Sequence, residues 1–190
     1  MLYCSHRRRK PREGSILILY GSKYGTAKRY AEEFAKIAGG EAAESRGRLV
    51  PAAGETVILF GAVYAGAVRG LRAAARAAER SGGAFAVATV GLTDPRDEGV
   101  RLALGKAVRA SLPAPLRERV RLFHLRGGID YGRLTFAHGL LMKMMYAAQK
   151  KVSEEKKSAQ ERVIAQTYGS SADLTDFSAL PAIAEEMEKV

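Results

Sequence analysis

The stretch Ile16-Leu17-Ile18-Leu19-Tyr20-Gly21-Ser22-Lys23-Tyr24-Gly25-Thr26-Ala27 decides the reading of this chain. Its opening apolar run is unbroken, the pattern of a strand buried on both faces, and Gly21-Ser22 ends it. From Thr26 onward Tyr30, Phe34 and Ile37 recur at helical spacing, with Lys28, Glu32, Glu33 and Lys36 between them, until Gly39-Gly40 stops the helix. In a strand–loop–helix unit of this kind, backbone N–H groups at the helix start point outward with the positive end of the dipole. The short hydroxyls of Ser22 and Thr26 add donors, so the loop can hold a phosphate without relying on cationic side chains. Gly and Ser also make ordinary strand-to-helix turns, and the loop alone leaves both readings open.

Working outward, the unit repeats. Thr56-Val57-Ile58-Leu59-Phe60 runs into Gly61, and Val68 to Arg80 reads as an alanine-rich helix ended by Gly82-Gly83. Ala84 to Val90 is a further strand, and Leu92 to Leu112 a loop and then a helix starting near Asp94-Pro95. Arg119 to Leu125 alternates charged and apolar residues, as a strand near a sheet edge does, while Glu41 to Arg46 offers only a weak edge strand. An insertion follows at about residues 126–175: a glycine-rich stretch, an apolar helix from Phe136 to Ala148, a charged segment and a possible strand at Arg162 to Thr167. A closing helix runs from Ser178 to Lys189, with Asp176 or Ser178 as its cap and Pro181 in its first turn. Alternating strands and helices imply an α/β fold: a parallel sheet of about five strands with helices on both faces. Ligands bind such sheets beyond the carboxyl ends of the strands, which directs attention to Gly21 to Ala27, Gly61 to Gly66 and Thr89 to Thr93.

Composition bounds the function. The chain has 190 residues, 47% hydrophobic and 27% charged, enough for one globular domain at residues 15–190 behind a basic, flexible tail at 1–14. That tail carries Arg7-Arg8-Arg9-Lys10 without an apolar run, so no secretory signal is expected; a polybasic membrane contact and a start-site artefact are alternative readings. Thirty-one basic against 20 acidic residues give a net charge of +11, which favours anionic partners. Cys4 is the sole cysteine, so no internal disulfide or thiolate metal cluster is expected. No apolar stretch reaches the roughly 20 residues of a spanning helix, and the longest approach, Leu134 to Ala148, is interrupted by His138 and Lys143. The expected location is cytoplasmic, with possible peripheral contact at the inner membrane face. His124 and His138 lack a partner recognisable in the sequence, and neither is assigned a catalytic role.

The first loop lacks the Gly-Lys-Ser/Thr ending of a nucleoside-triphosphate loop and the spacing of a dinucleotide fingerprint, and no acidic residues follow the strand as in a receiver domain. Leu19-Tyr20-Gly21-Ser22-Lys23-Tyr24-Gly25-Thr26 instead resembles the FMN-phosphate loop of flavodoxins, Ser/Thr-x-x-Gly-x-Thr, with Ala27 where that family usually has its last hydroxyl. The resemblance implies an FMN site with its phosphate at Ser22, Lys23, Tyr24, Gly25, Thr26 and Ala27. Val63, Tyr64, Ala65 and Gly66 would then flank the ring on one side, and Val90, Gly91, Leu92 and Thr93 on the other. Phe123 to Tyr131, followed by Leu140-Leu141-Met142-Lys143-Met144-Met145, resembles the insertion of the flavodoxin-like menaquinone-dependent protoporphyrinogen dehydrogenases. That implies hydrogen taken from an organic substrate and electrons passed to a quinone.

Two other classes remain open: an electron carrier docking between redox proteins without an organic substrate, and a flavin-free module using its basic surface. A homodimer is a further possibility, and no nucleic acid is expected. Arg69, Arg72, Arg76 and Arg80 align on one helix face, read first as solvated and alternatively as a docking surface for an acidic redox partner or for propionates. Phe136, Leu140, Leu141, Met144, Met145 and Ala148 read as a core-facing stripe, with an interfacial helix as the alternative in which Lys143, Lys150 and Lys151 turn toward lipid headgroups.

Overall fold

The computed structural model describes residues 15–189, apart from residues 65, 151, 154 and 156. The expected basic tail, with Cys4, lies outside the described residues, as does Lys151. Strands β1 (Ile16–Gly21), β2 (Ala42–Glu44), β3 (Thr56–Tyr64), β5 (Phe85–Gly91) and β6 (Arg121–Arg126) form a parallel sheet in the order β2-β1-β3-β5-β6. The weak edge strand is real and pairs with β1 from Ile18↔Ala42 to Tyr20↔Glu44. β3 runs past the expected end at Phe60 and returns as β4 (Ala67–Val68), an antiparallel hairpin that replaces the loop expected at Gly61 to Gly66.

The alternation of side chains along β1, β3 and β5 divides the core in two. Ile18, Ile58, Phe60, Ala86 and Ala88 face helices α1 (Thr26–Ala38) and α7 (Leu180–Glu188), where Tyr30, Phe34, Ile183 and Met187 complete the packing. Leu19, Val57, Leu59, Phe85 and Val87 face α2 (Leu71–Ser81), α3 (Glu98–Ala110) and the short α4 (Ala114–Arg117). The small inner face of α2, Ala74, Ala75 and Ala78, brings that helix close to the sheet. α3 begins later than Asp94-Pro95, because Asp97 accepts the Val100 N–H at 3.0 Å and caps it. α7 starts at Leu180 after Ala179, since Asp176 is engaged with the Ser178 N–H at 2.9 Å.

The insertion contains β7 (Gly128–Asp130), a 3-10 turn at Tyr131–Arg133, α5 (Phe136–Gln149), α6 (Ala159–Thr167) and β8 (Ser171–Asp173), with β7 and β8 paired antiparallel. Buried Tyr30 holds both its ends: its hydroxyl donates to the Arg126 carbonyl at 2.6 Å and accepts the Asp176 N–H at 2.9 Å. The strand expected at Arg162 to Thr167 is instead the end of α6. Val163, Ile164 and Thr167 favour a strand locally, but a capping box overrides them: Glu161 N–H donates to Ser158 Oγ at 3.3 Å and Ser158 N–H to Glu161 Oε2 at 2.8 Å. Ser158→Ala is therefore expected to cost about 1 kcal/mol. Thermal denaturation should show the midpoint falling by about 2–4 °C. The core reading of the α5 stripe is overturned: Phe136 is 90% exposed and Met144 62%, and neither core cluster includes a residue of α5.

Candidate functional site

The order of the sheet reverses between β1 and β3, and a cavity of about 590 Å³ opens at the carboxyl ends of β1, β3 and β5. Its first wall is the turn into α1. Gly25 adopts φ 98°, a conformation that glycine enters without strain, and its N–H donates to Ser22 Oγ at 3.0 Å. Ser22 thus shapes the loop while keeping its hydroxyl hydrogen. α1 has no side-chain cap and no acidic residue in its first turn, so its leading N–H groups are open donors at the positive end of the helix. Thr26 and Ala27 bring that turn into the cavity wall.

The second wall is the β3–β4 hairpin, with Val63↔Val68 and Tyr64↔Ala67 in register and Gly66 at φ 77° in the turn. The third is the end of β5 and the segment after it, Val90 to Thr93. Gly91 lies beside Val63 of the hairpin, where an added Cβ would make ordinary contact at 3.7 Å from the Val63 Cβ. Every residue expected at the cofactor site lines this one cavity, save Gly25 at the start of α1 and Ala65, which lies outside the described residues.

The far wall was not legible beforehand. Leu141, Met142 and Met145 of α5, with Val163 and Ile164 of α6, close the cavity with apolar and thioether side chains. His138, expected to stand alone, joins three elements at the rim. Its Nδ1 is hydrogen-bonded to the Tyr24 hydroxyl, its Nε2 lies 3.2 Å from Lys23 Nζ, and its ring packs on Tyr64 with centroids 4.3 Å apart. Since an ammonium only donates, Lys23 fixes Nε2 as the acceptor and leaves the ring proton on Nδ1, directed at the Tyr24 oxygen. Loss of solvent at the ring, then the charges of Lys23 and Arg69, hold His138 below the usual histidine range, so it is neutral at neutral pH.

His124 also has a partner: its Nδ1 lies 2.6 Å from Thr89 Oγ1. Burial, and secondarily Arg101, push its pKa down. Below about pH 6.5 the unfolded chain binds a proton that folded His124 refuses, so stability declines as pH falls toward the folded value. His124→Gln should accordingly lose less thermal stability between pH 7 and pH 5 than the parent chain, as followed by circular dichroism.

The family model described as a flavodoxin domain matches residues 17–156. This chain belongs to that family. The match spans β1 to α5, including the first three walls of the cavity and the α5 part of the far wall, but not α6. No curated protein and no solved structure matches the chain. The donor set of this flavodoxin domain suits a phosphate monoester: an uncapped helix start, a glycine in the left-handed region and two short hydroxyls. Its cavity volume lies within the range of cofactor pockets, and the hairpin and the end of β5 both line it. Among the described residues no helix is long and apolar enough to cross a membrane.

Proposed function

We propose that this flavodoxin domain holds FMN, with its phosphate at Ser22 to Ala27, and works as a protoporphyrinogen-dehydrogenase-type oxidoreductase that passes electrons to a quinone. Bound FMN supplies two-electron exchange between an organic donor and an acceptor. The chain's residues supply binding and shielding. Tyr64 and the Val90 to Thr93 segment flank the ring, and Lys23 and Arg69 keep the rim positive for a carboxylate-bearing substrate.

One observation favours an enzyme over an electron carrier. The cavity continues beneath α5 and α6, where Leu141, Met145, Val163 and Ile164 form an apolar wall suited to a planar hydrophobic substrate or a quinone. A carrier needs only an exposed cofactor edge. The opposite face of α5 supports a membrane-resident acceptor: Phe136, Leu140 and Met144 form an exposed stripe, with Lys143 beside it for anionic headgroups.

The deciding assay is anaerobic turnover of the FMN-loaded chain with protoporphyrinogen and a soluble menaquinone analogue. Quinone reduction dependent on both substrates supports the proposal, whereas reduction of an acidic redox protein alone favours the carrier. Phe136→Glu/Met144→Glu should abolish sedimentation with anionic vesicles and leave FMN affinity within about twofold, because neither side chain lines the cavity and exposed changes away from a site have small effects.

A further inference from the structure

A second cleft, of about 610 Å³, shares a chain segment with the cofactor cavity: Val68 and Gly70 line the cleft, while Arg69 lines the cavity. Arg48, from the segment after β2, and Arg72, Arg76 and Arg80 of α2 converge on it. Arg80 Nη2 donates to the Leu49 carbonyl at 2.6 Å and ties that segment to the helix. The side chains of Arg48, Arg72 and Arg76 make no ion pair or hydrogen bond among the described residues.

This contrasts with the basic residues of α1 and with Arg46. On α1, Lys28 pairs with Glu32, Lys36 with Glu33 and Arg29 with Asp173, and beside the cleft Arg46 pairs with Glu44. On α2 three like charges, Arg72, Arg76 and Arg80, stand one turn apart and line the cleft, while Glu79, the one acidic residue of the helix, does not line it. Arg72 stands in a first turn that has no acidic residue, at the positive end of the helix. Both arrangements oppose folding unless an anion offsets them.

We propose that this cleft binds a small ligand carrying two or more phosphate groups. Guanidinium forks bind phosphate oxygens in pairs, and arginines one turn apart on α2 can take separate phosphate groups of one ligand. A cleft of about 610 Å³ has the size of a small-ligand site, and four arginines gathered around it from two segments suit a compact anion. Because Val68 to Gly70 separates the cleft from the cavity, such a ligand would lie beside the cofactor site without occupying it.

Titration calorimetry with sodium tripolyphosphate at constant ionic strength tests the proposal, using the full chain with FMN present and the Gly25→Asp chain. In the latter the phosphate loop is obstructed whether or not the parent binds FMN, so this result does not depend on the proposed activity. Saturable one-to-one binding is expected in both, weakened at least about tenfold by Arg72→Gln/Arg76→Gln and unchanged by Lys106→Gln on α3. The double variant should retain its far-UV spectrum and melt no lower than the parent, since a repulsion is removed. Equal affinity in parent and double variant, or displacement of tripolyphosphate by FMN, would overturn the proposal. So would equal affinity for citrate. Tighter binding of polyglutamate through the same arginines would replace the small ligand with an acidic protein partner.

Discussion

Replacing Gly25 by Asp is expected to weaken FMN binding at least about a hundredfold, a loss of about 3 kcal/mol. The geometry at the start of α1 explains the size. An added Cβ at Gly25 meets nothing within 4 Å, so the carboxylate can turn toward the open N–H groups of the first helical turn. There it caps the helix and takes the donors proposed for the phosphate, whose hydrogen bonds to a charged group are each worth roughly 1.5–3 kcal/mol. It also adds negative charge where a dianion would sit. The strain of a side chain at φ 98° costs about 1–2 kcal/mol, and the new cap returns a similar amount, so the fold should persist. Gly25→Ala carries the strain without the competing carboxylate. It should lower the melting temperature yet keep FMN affinity within about tenfold of the parent, which separates donor capture from backbone distortion. Fluorescence quenching of FMN measures both.

Excising residues 134–157 in favour of a short Gly-Ser linker is expected to abolish electron transfer to quinone while FMN stays bound. Both core clusters are complete without α5, and Tyr30 still holds Arg126 and Asp176 at the two ends of the insertion. Replacing a long connection by a shorter flexible one changes closure entropy only slightly. The cost falls on Val163 and Ile164, which lose α5 as a neighbour, and on the Tyr24–His138–Tyr64 contact at the rim. FMN affinity should fall no more than about tenfold, because the first turn of α1 is untouched. Quinone reduction should fall at least about a hundredfold, because the apolar wall proposed to receive the acceptor is gone. A truncated chain that loses FMN altogether would show that α5 forms part of the cofactor site itself.

The sheet was legible because its central strands are buried on both faces and so appear as uninterrupted apolar runs at Ile16 to Tyr20, Thr56 to Phe60 and Ala84 to Val90. The loops of the cavity were legible because their glycines and hydroxyls end those runs. Part of what escaped had no local signature. His138 meets partners more than a hundred residues earlier, Tyr24 at a sequence separation of 114 and Lys23 at 115, so no spacing rule finds it. β4 is too short for periodicity; the available signal was Gly66 in a two-residue turn. At α6, the Ser158-x-x-Glu161 pair was visible and outweighs the β-branched residues that suggested a strand. The α5 stripe shows the limit of helical spacing. Apolar residues lie on two faces, Leu141 and Met145 toward the cavity and Phe136, Leu140 and Met144 toward solvent, and spacing alone does not say which face is covered.

The FMN phosphate is proposed to sit at the start of α1. That placement is tested by comparing the affinity of the purified chain for FMN with that for riboflavin, which has the same ring and no phosphate, by fluorescence titration in one buffer. If the open N–H groups of the first turn, Gly25 and the Ser22 and Thr26 hydroxyls hold the phosphate, FMN should bind at least about a hundred times more tightly than riboflavin. Equal affinities, or binding of neither flavin, would contradict it.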